Sequence, residues 1–180
     1  MLYIRKAEAR DLSKVVQLSQ KLYEQIAKDR NFFSFDGVKK EEIESVLQAS
    51  DSSVVIIAEG EHNNVYGYLI LQQPNAQEEY SFMKDFPNDY NEGEGIIVRS
   101  IGVAPTCRKI GLATMMLKTG AYYAVKQGYT KFMGYIYPYD FAIKQLLSKI
   151  ANPKKSGFYL YETGSDGSEK IRQRFIQDLT

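Results

Sequence analysis

The stretch that decides the fold runs Ile96-Ile97-Val98-Arg99-Ser100-Ile101-Gly102-Val103-Ala104-Pro105-Thr106-Cys107-Arg108-Lys109-Ile110-Gly111-Leu112-Ala113. Ile96 to Val103 is rich in β-branched residues, as a central strand is, and Pro105, which has no N–H to give to a ladder, stops it. A loop bearing two cations follows. Gly111 then opens a segment whose Leu112, Met115, Met116, Thr119 and Tyr123 share one helical face, and Gly128 closes that helix after Gln127. Two readings of the junction stand. It is an ordinary strand-to-helix turn with two solvated cations, or an anion site built from unpaired backbone N–H groups, the positive end of a helix dipole and the charges of Arg108 and Lys109. Gly111, lacking a Cβ, lets a phosphate approach the backbone. A nucleotide P-loop and a dinucleotide fingerprint are both excluded, because no Gly-x-x-x-x-Gly-Lys-Ser/Thr occurs and Gly93-Glu94-Gly95 precedes a strand instead of joining one to a helix.

Outward from this stretch the pattern alternates strands and helices. Leu2 to Ala7 reads as a strand. Asp11 is a candidate N-cap for a helix carrying Leu12, Val15, Leu18, Leu22 and Ile26 on one face, and Ile43, Val46 and Leu47 mark a second, shorter helix. Between them Asn31 to Gly37 holds three Phe, which either pack under a loop or line a pocket. Ser53–Glu59 and Val65–Gln73 form a hairpin around Gly60-Glu61-His62-Asn63-Asn64, which leaves His62 a solvated turn residue. Pro74 to Gly95 reads as irregular and locally acidic, with Glu78, Glu79, Asp85, Asp89, Glu92 and Glu94 against Lys84 alone. A strand over Phe132–Tyr137, a helix over Asp140–Ile150 with Phe141, Ile143, Leu146, Leu147 and Ile150 available for burial, and a closing hairpin of Gly157–Glu162 with Lys170–Leu179 complete the chain. The last of these segments is also compatible with a helix.

Composition narrows the function. The 180 residues suffice for one domain with a real core, and 23 Lys+Arg against 22 Asp+Glu leave a net charge of +1, without the cationic surplus that phosphate-backbone binding needs. Nucleic acid is therefore not expected as the partner. One His and one Cys cannot furnish a His/Cys zinc site, and Cys107 has no internal disulfide partner, so no metal is expected and a reducing, cytoplasmic setting is the default. No apolar run reaches the roughly 18 to 20 residues of a membrane span, and the start of the chain lacks the apolar core of a signal peptide.

The quoted stretch resembles the acyl-CoA pyrophosphate loop of the GNAT superfamily of N-acetyltransferases, Val-x-Pro-x-x-Arg/Gln-x-x-Gly-x-Gly/Ala, through Val103, Pro105, Arg108, Gly111 and Ala113. The order of elements along nearly the whole chain is similar to that family's as well. The resemblance implies a single α/β domain over residues 1–180 (α+β by stricter usage), with a mixed, mostly antiparallel sheet of six or seven strands flanked by four helices. It implies acetyl-CoA as cosubstrate and direct attack by a primary amine in a ternary complex; it leaves monomer and homodimer both open. Main-chain groups of Ile101 and Val103 would pair with the pantetheine arm, as an added strand would. Main-chain N–H groups of Lys109, Ile110, Gly111, Leu112, Ala113 and Thr114, with the Arg108 side chain, would hold the pyrophosphate.

The chain departs from the family where the proton chemistry lies. Family members usually carry Asn at the start of the next helix and, seven residues on, a Tyr acid toward the leaving thiolate; aligned on Ile136, these places hold Asp140 and Leu147. Leucine donates no proton. Tyr137 and Tyr139 are nearby substitutes, Tyr139 being the candidate acid, although a thiolate with pKa near 8.5 also leaves unassisted. The Glu that some members carry on the central strand falls at Ile97, so Glu92 and Glu94 are the nearest candidate bases, with Glu94 the residue selected. Arg99, on the same strand face as Ile97, Ile101 and Val103, needs a partner: a loop carboxylate, or an acidic group on the acceptor. The acidic Pro74–Gly95 stretch suggests instead a cationic acceptor. A non-catalytic acyl-CoA-binding module of the same fold is the alternative to an enzyme. An interaction protein presenting its 14 Tyr and an RNA-acylating member of the family fit less well, the latter because of the balanced charge.

Overall fold

A computed structural model of the chain describes residues 1–29, 40–48, 53–136, 141–149, 154–163 and 169–179. The expected Phe-rich loop at Asn31 to Gly37 lies outside these residues, as do the side chains of Ile26, Phe141, Ile143 and Ile150. The chain divides into two compact units, Met1–Leu71 with Ser100–Gly120, and Gln72–Arg99 with Ala121–Thr180. The division falls within the central strand.

In the first unit, β1 (Tyr3–Lys6), β2 (Ser53–Glu59), β3 (Val65–Gln72) and β4 (Gly95–Val103) neighbour one another in that order. β1 runs antiparallel to β2, with Arg5 opposite Ile57. The helices α1 (Leu12–Asp29) and α2 (Lys40–Gln48) bury the faces that the spacing predicts: Val15, Leu18 and Leu22 of the one and Ile43 and Val46 of the other close on Val55, Ile57, Tyr68 and Ile70. Six successive residues of β2, Ser53 to Ala58, are buried, so both faces of that strand are covered. His62 is exposed in the turn between β2 and β3, in the left-handed region at φ 57°.

Asp11 does a different job from the one its position suggests. It ends a single 3-10 turn, Ala9–Asp11, that leads into α1, and its carboxylate accepts from Arg5 Nη1 and Nη2 at 2.8 and 2.9 Å and from the Glu8 N–H at 2.8 Å. Arg5 Nε donates in turn to Glu59 at 2.6 Å. A buried carboxylate is tolerable only when paired in this way, and here the pairing ties β1, β2 and the start of α1 together.

In the second unit the strand order is β4, β5 (Lys131–Ile136), β7 (Glu169–Asp178), β6 (Lys154–Thr163). β5 is parallel to β4 and antiparallel to β7, and β6 and β7 form the closing hairpin as two strands. The helix α4 (Leu112–Lys126) ends where expected: Gly128, at φ 92°, donates to Val125 O at 3.0 Å and Tyr129 to Ala124 O at 3.1 Å, the paired bonds of a Schellman cap. α5 (Phe141–Ser148) places Leu147 against Ile136 and Phe175.

The mixed, mostly antiparallel sheet is present as expected, with seven strands. Among the described residues five helices accompany it, close to the four expected. The additional one is α3 (Ala76–Asp85), in the stretch read as irregular. Asn75 Oδ1 accepts from the Glu78 N–H and Glu78 Oε2 from the Asn75 N–H, both at 2.9 Å, so a reciprocal capping box starts the helix. Phe82 holds it down among Phe86, Tyr90, Ile97, Met133 and Ile176.

Two outcomes follow from this packing. Phe82 is fully buried, so Phe82→Ala should lose about 3–5 kcal/mol in denaturant unfolding; a loss below about 1 kcal/mol would mean that α3 is not anchored there. For Asp11, burial alone would raise the carboxyl, but the bonds from Arg5 and the Glu8 N–H outweigh it and hold the group below the usual range. Such a group stabilises the fold above its unfolded pKa of about 3.9, and the contribution is lost as pH falls through the lower folded value. Asp11→Asn should therefore cost about 1–3 kcal/mol near pH 7, with the urea midpoints of variant and wild type converging below about pH 3. A gap independent of pH would contradict the ion pairing.

Candidate functional site

The loop after β4 is built from three short-range constraints. Ala104 N–H donates to Tyr66 O at 2.7 Å, which ends the pairing of β4 with β3. Pro105–Cys107 then makes one 3-10 turn, with Cys107 N–H on Ala104 O at 2.9 Å and Arg108 N–H on Pro105 O at 3.3 Å. Finally Lys109 and Gly111 both take left-handed conformations, at φ 64° and 83°. Two such residues within three turn successive N–H groups toward a common point, the geometry of an anion-binding nest.

The helix ladder of α4 begins at Met115, whose N–H donates to Gly111 O at 3.0 Å. The N–H groups of Gly111, Leu112, Ala113 and Thr114 precede that bond and are not consumed by the helix. Leu112 and Met116, both buried, fix the first turn from beneath. Above it the surface is open: Arg108, Lys109, Ile110 and Gly111 are exposed, and a Cβ added at Gly111 would meet nothing within 4 Å. Glycine is thus required here by its positive φ, and the space over its backbone is available to a ligand. Arg108 reaches back over the loop, its Nε 3.4 Å from Val103 O.

Strand alternation assigns the edges of β4. Since the N–H of Ala104 faces β3, the main-chain groups of Gly102 face it too, and those of Ile101 and Val103 point to the opposite edge. The ladder of β4 with β5 covers Gly95 to Ile97 of the nine-residue strand.

Arg99 has its partners within the second unit. It grips Glu78 with both terminal nitrogens, at 2.5 and 2.7 Å, and its Nε donates to Gln72 Oε1 at 3.0 Å. Burial pushes the Glu78 carboxyl up, but the Arg99 fork and the Asn75 N–H overcome this and leave it below the ordinary carboxylate range. Close by, Arg174 Nη1 donates to Asp85 at 2.5 Å. Burial, reinforced by the Glu78 charge, raises the Tyr135 phenol despite the neighbouring guanidiniums. Of these groups the sequence pointed to Arg99 alone. The Asn75-x-x-Glu78 capping box was the available signal for Glu78.

Most acids of the stretch have partners. Glu78 is taken by Arg99 and Asp85 by Arg174, and Asp89 pairs with Lys154, cations that lie outside the stretch; Glu79 accepts from Tyr90 Oη at 2.5 Å and Gly93 N–H at 2.7 Å. Glu94 accepts from the Asn91 amide at 2.9 Å and the Asn91 N–H at 3.2 Å, bonds that hold its carboxyl below the usual range, the wrong direction for a base facing an ammonium. Glu92 is exposed. The local excess of acid is therefore largely spent on helix and turn contacts. Tyr137, Tyr139 and Asp140 lie outside the described residues. Leu147 is buried core at 2% exposure. Among the described residues no cluster of three His, Cys, Asp or Glu could hold a metal ion, and no helix is long and apolar enough to cross a membrane.

Comparison with known proteins was informative at the level of fold and family. Among solved structures, an N-acetyltransferase from Staphylococcus aureus Mu50 is similar at 18% identity and TM-score 0.70, over 100% of this chain and 99% of that one. The structure of yncA from Salmonella typhimurium with its cofactor acetyl-CoA is similar at 14% identity and TM-score 0.71, over 100% and 95%. The ribosomal-protein-S18-alanine N-acetyltransferase from Escherichia coli is similar at 14% identity and TM-score 0.66, over 100% and 95%. No curated protein sequence matches. The Acetyltransferase (GNAT) family profile matches residues 12–144, most of the chain. The chain therefore belongs to the GNAT acetyltransferase family, whose cosubstrate is acetyl-CoA.

Proposed function

We propose that the protein is an N-acetyltransferase that moves the acetyl group of acetyl-CoA to a primary amine by direct attack. The observation that carries this reading is the start of α4, where the ladder opens only at Met115 and four preceding N–H groups lie beside exposed Arg108 and Lys109. That surface offers a pyrophosphate several backbone donors and two formal charges. The edge of β4 carrying the main chain of Ile101 and Val103 suits the amides of a pantetheine arm, because both partners then satisfy hydrogen bonds as strands do. One GNAT domain over residues 1–180 agrees with neighbours that are covered nearly end to end.

In the reaction the amine nitrogen bonds to the thioester carbon, the C–S bond breaks, and the thiolate and the nitrogen exchange a proton through a donor or water. Tyr139 is the donor in this reading. Glu94 is not favoured as the base, since its two bonds to Asn91 would have to be given up; a neutral amine or water meets the need. The alternative, an acyl-CoA-binding module without turnover, draws on Leu147 being core where family members have their acid.

Calorimetry and thiol release separate the two. Acetyl-CoA at 100 times its Kd should raise stability by about 2.7 kcal/mol, and thiol should appear when amines are added. Binding without thiol release from any amine would leave the module, and absence of binding would remove both. Gly111→Val forces a β-branched residue to positive φ and fills the space over the loop, so acetyl-CoA affinity should fall at least about tenfold, or 1.4 kcal/mol. Unchanged affinity would show that the phosphates lie elsewhere. Tyr139→Phe should lower kcat about 100-fold with acetyl-CoA affinity retained; an unaltered kcat would take Tyr139 out of the chemistry.

A further inference from the structure

The ion pairs that connect α3 to the strands of the second unit leave hydrogen-bond donors unspent. Arg99 has five N–H donors and uses three, two on Glu78 and one on Gln72, among the described residues. Gln72 gives its carbonyl oxygen to that contact, which leaves its amide hydrogens as donors. Both oxygens of Glu78 are held by Arg99, and one of them also caps α3.

Accessibility has the same sign. In the Arg99–Glu78 pair the cation side chain is 29% exposed and the anion 16%; in the Arg174–Asp85 pair the values are 11% and 5%. A ligand reaching either pair meets guanidinium first. An ammonium would meet two guanidiniums, whereas a carboxylate, with about four lone-pair directions, matches the outer N–H groups of Arg99 and the Gln72 amide.

We propose that Arg99 and Gln72 form a recognition site for a carboxylate on the acceptor, so that the amine acetylated is one carrying an acidic group, as in an amino acid. The inference rests on the acetyltransferase reading and specifies the substrate class of that reaction. Arg99 and Gln72 are specificity residues in it, and Glu78 holds the Arg99 fork in place.

Thiol release from acetyl-CoA, measured with the intact protein on matched amine pairs, tests it: α-, β- and ω-amino acids against the corresponding carboxamides and decarboxylated amines. The carboxylate-bearing member of at least one pair should be favoured about tenfold or more in kcat/KM, equivalent to 1.4 kcal/mol. Arg99→Gln should bring that ratio close to one and raise the KM for the amino acid while the KM for acetyl-CoA is kept, a split that general loss of structure does not produce. Arg99→Lys, which retains charge without the fork, should restore part of the ratio. Acetyl-CoA binding combined with turnover of neutral amines only overturns this inference alone; binding with turnover of no amine overturns it together with the transferase reading. Failure to bind acetyl-CoA overturns it together with the transferase reading.

Discussion

The constraint on which this protein turns is that the backbone N–H groups at the start of α4 are left outside the helix ladder. An α-helix cannot satisfy its first donors itself, and most helices assign them to a capping side chain or to water. Here Pro105 ends the strand, one 3-10 turn reverses the chain, and left-handed Lys109 and Gly111 deliver it to Leu112 with those donors turned outward. Buried Leu112 and Met116 hold the turn against the first unit, so the donors are presented by a rigid element. Charge from Arg108 and Lys109 adds to the helix dipole at the same place. The β-sheet supplies the fixed end of this arrangement through the Ala104–Tyr66 bond, which also sets the opposite edge for Ile101 and Val103.

A different economy governs the second unit, where charge is placed in low-dielectric surroundings and must be matched. Arg99 on a largely apolar strand and Arg174 on β7 are each met by a carboxylate of α3, one near each end of that helix, with Phe82 between them. Breaking one member would leave an uncompensated charge, which is why these pairs matter to the fold even though such pairs contribute little net stability over apolar replacements. The consequence for chemistry is a reversal of the expected sign. At these two pairs the guanidiniums of Arg99 and Arg174 are the more exposed partners and the carboxylates of Glu78 and Asp85 the more buried.

The sequence made the architecture legible where periodicity is strong: the faces of α1 and α2, the β-branched β2, and the glycine cap of α4 all occur as expected. It also made the loop after β4 legible, since the order of strand, proline, cations and glycine is the order in which the turn and the start of α4 occur. Pro74–Gly95 was misread because its charges dominate the composition. Asn75-x-x-Glu78 carries the helical signal there, yet it is short, and of Phe82, Phe86 and Tyr90 only Phe82 lies within α3. Asp11 fits a cap by local pattern; that its carboxylate meets Arg5 of β1, itself tied to Glu59 of β2, depends on how the strands pair, which local pattern does not encode. The bidentate Glu78–Arg99 contact escaped for the same reason, although a lone cation on an apolar strand face did demand a partner.

Amide NMR on ¹⁵N-labelled protein titrated with CoA and with pantetheine addresses the central claim directly, because the two ligands differ in the phosphates and nucleoside. The account predicts that the N–H resonances of Gly111, Leu112, Ala113 and Thr114 shift strongly downfield with CoA and stay nearly in place with pantetheine, as hydrogen bonds to an anion require. If CoA binds and those four resonances do not move, the phosphates are held elsewhere and the account is wrong.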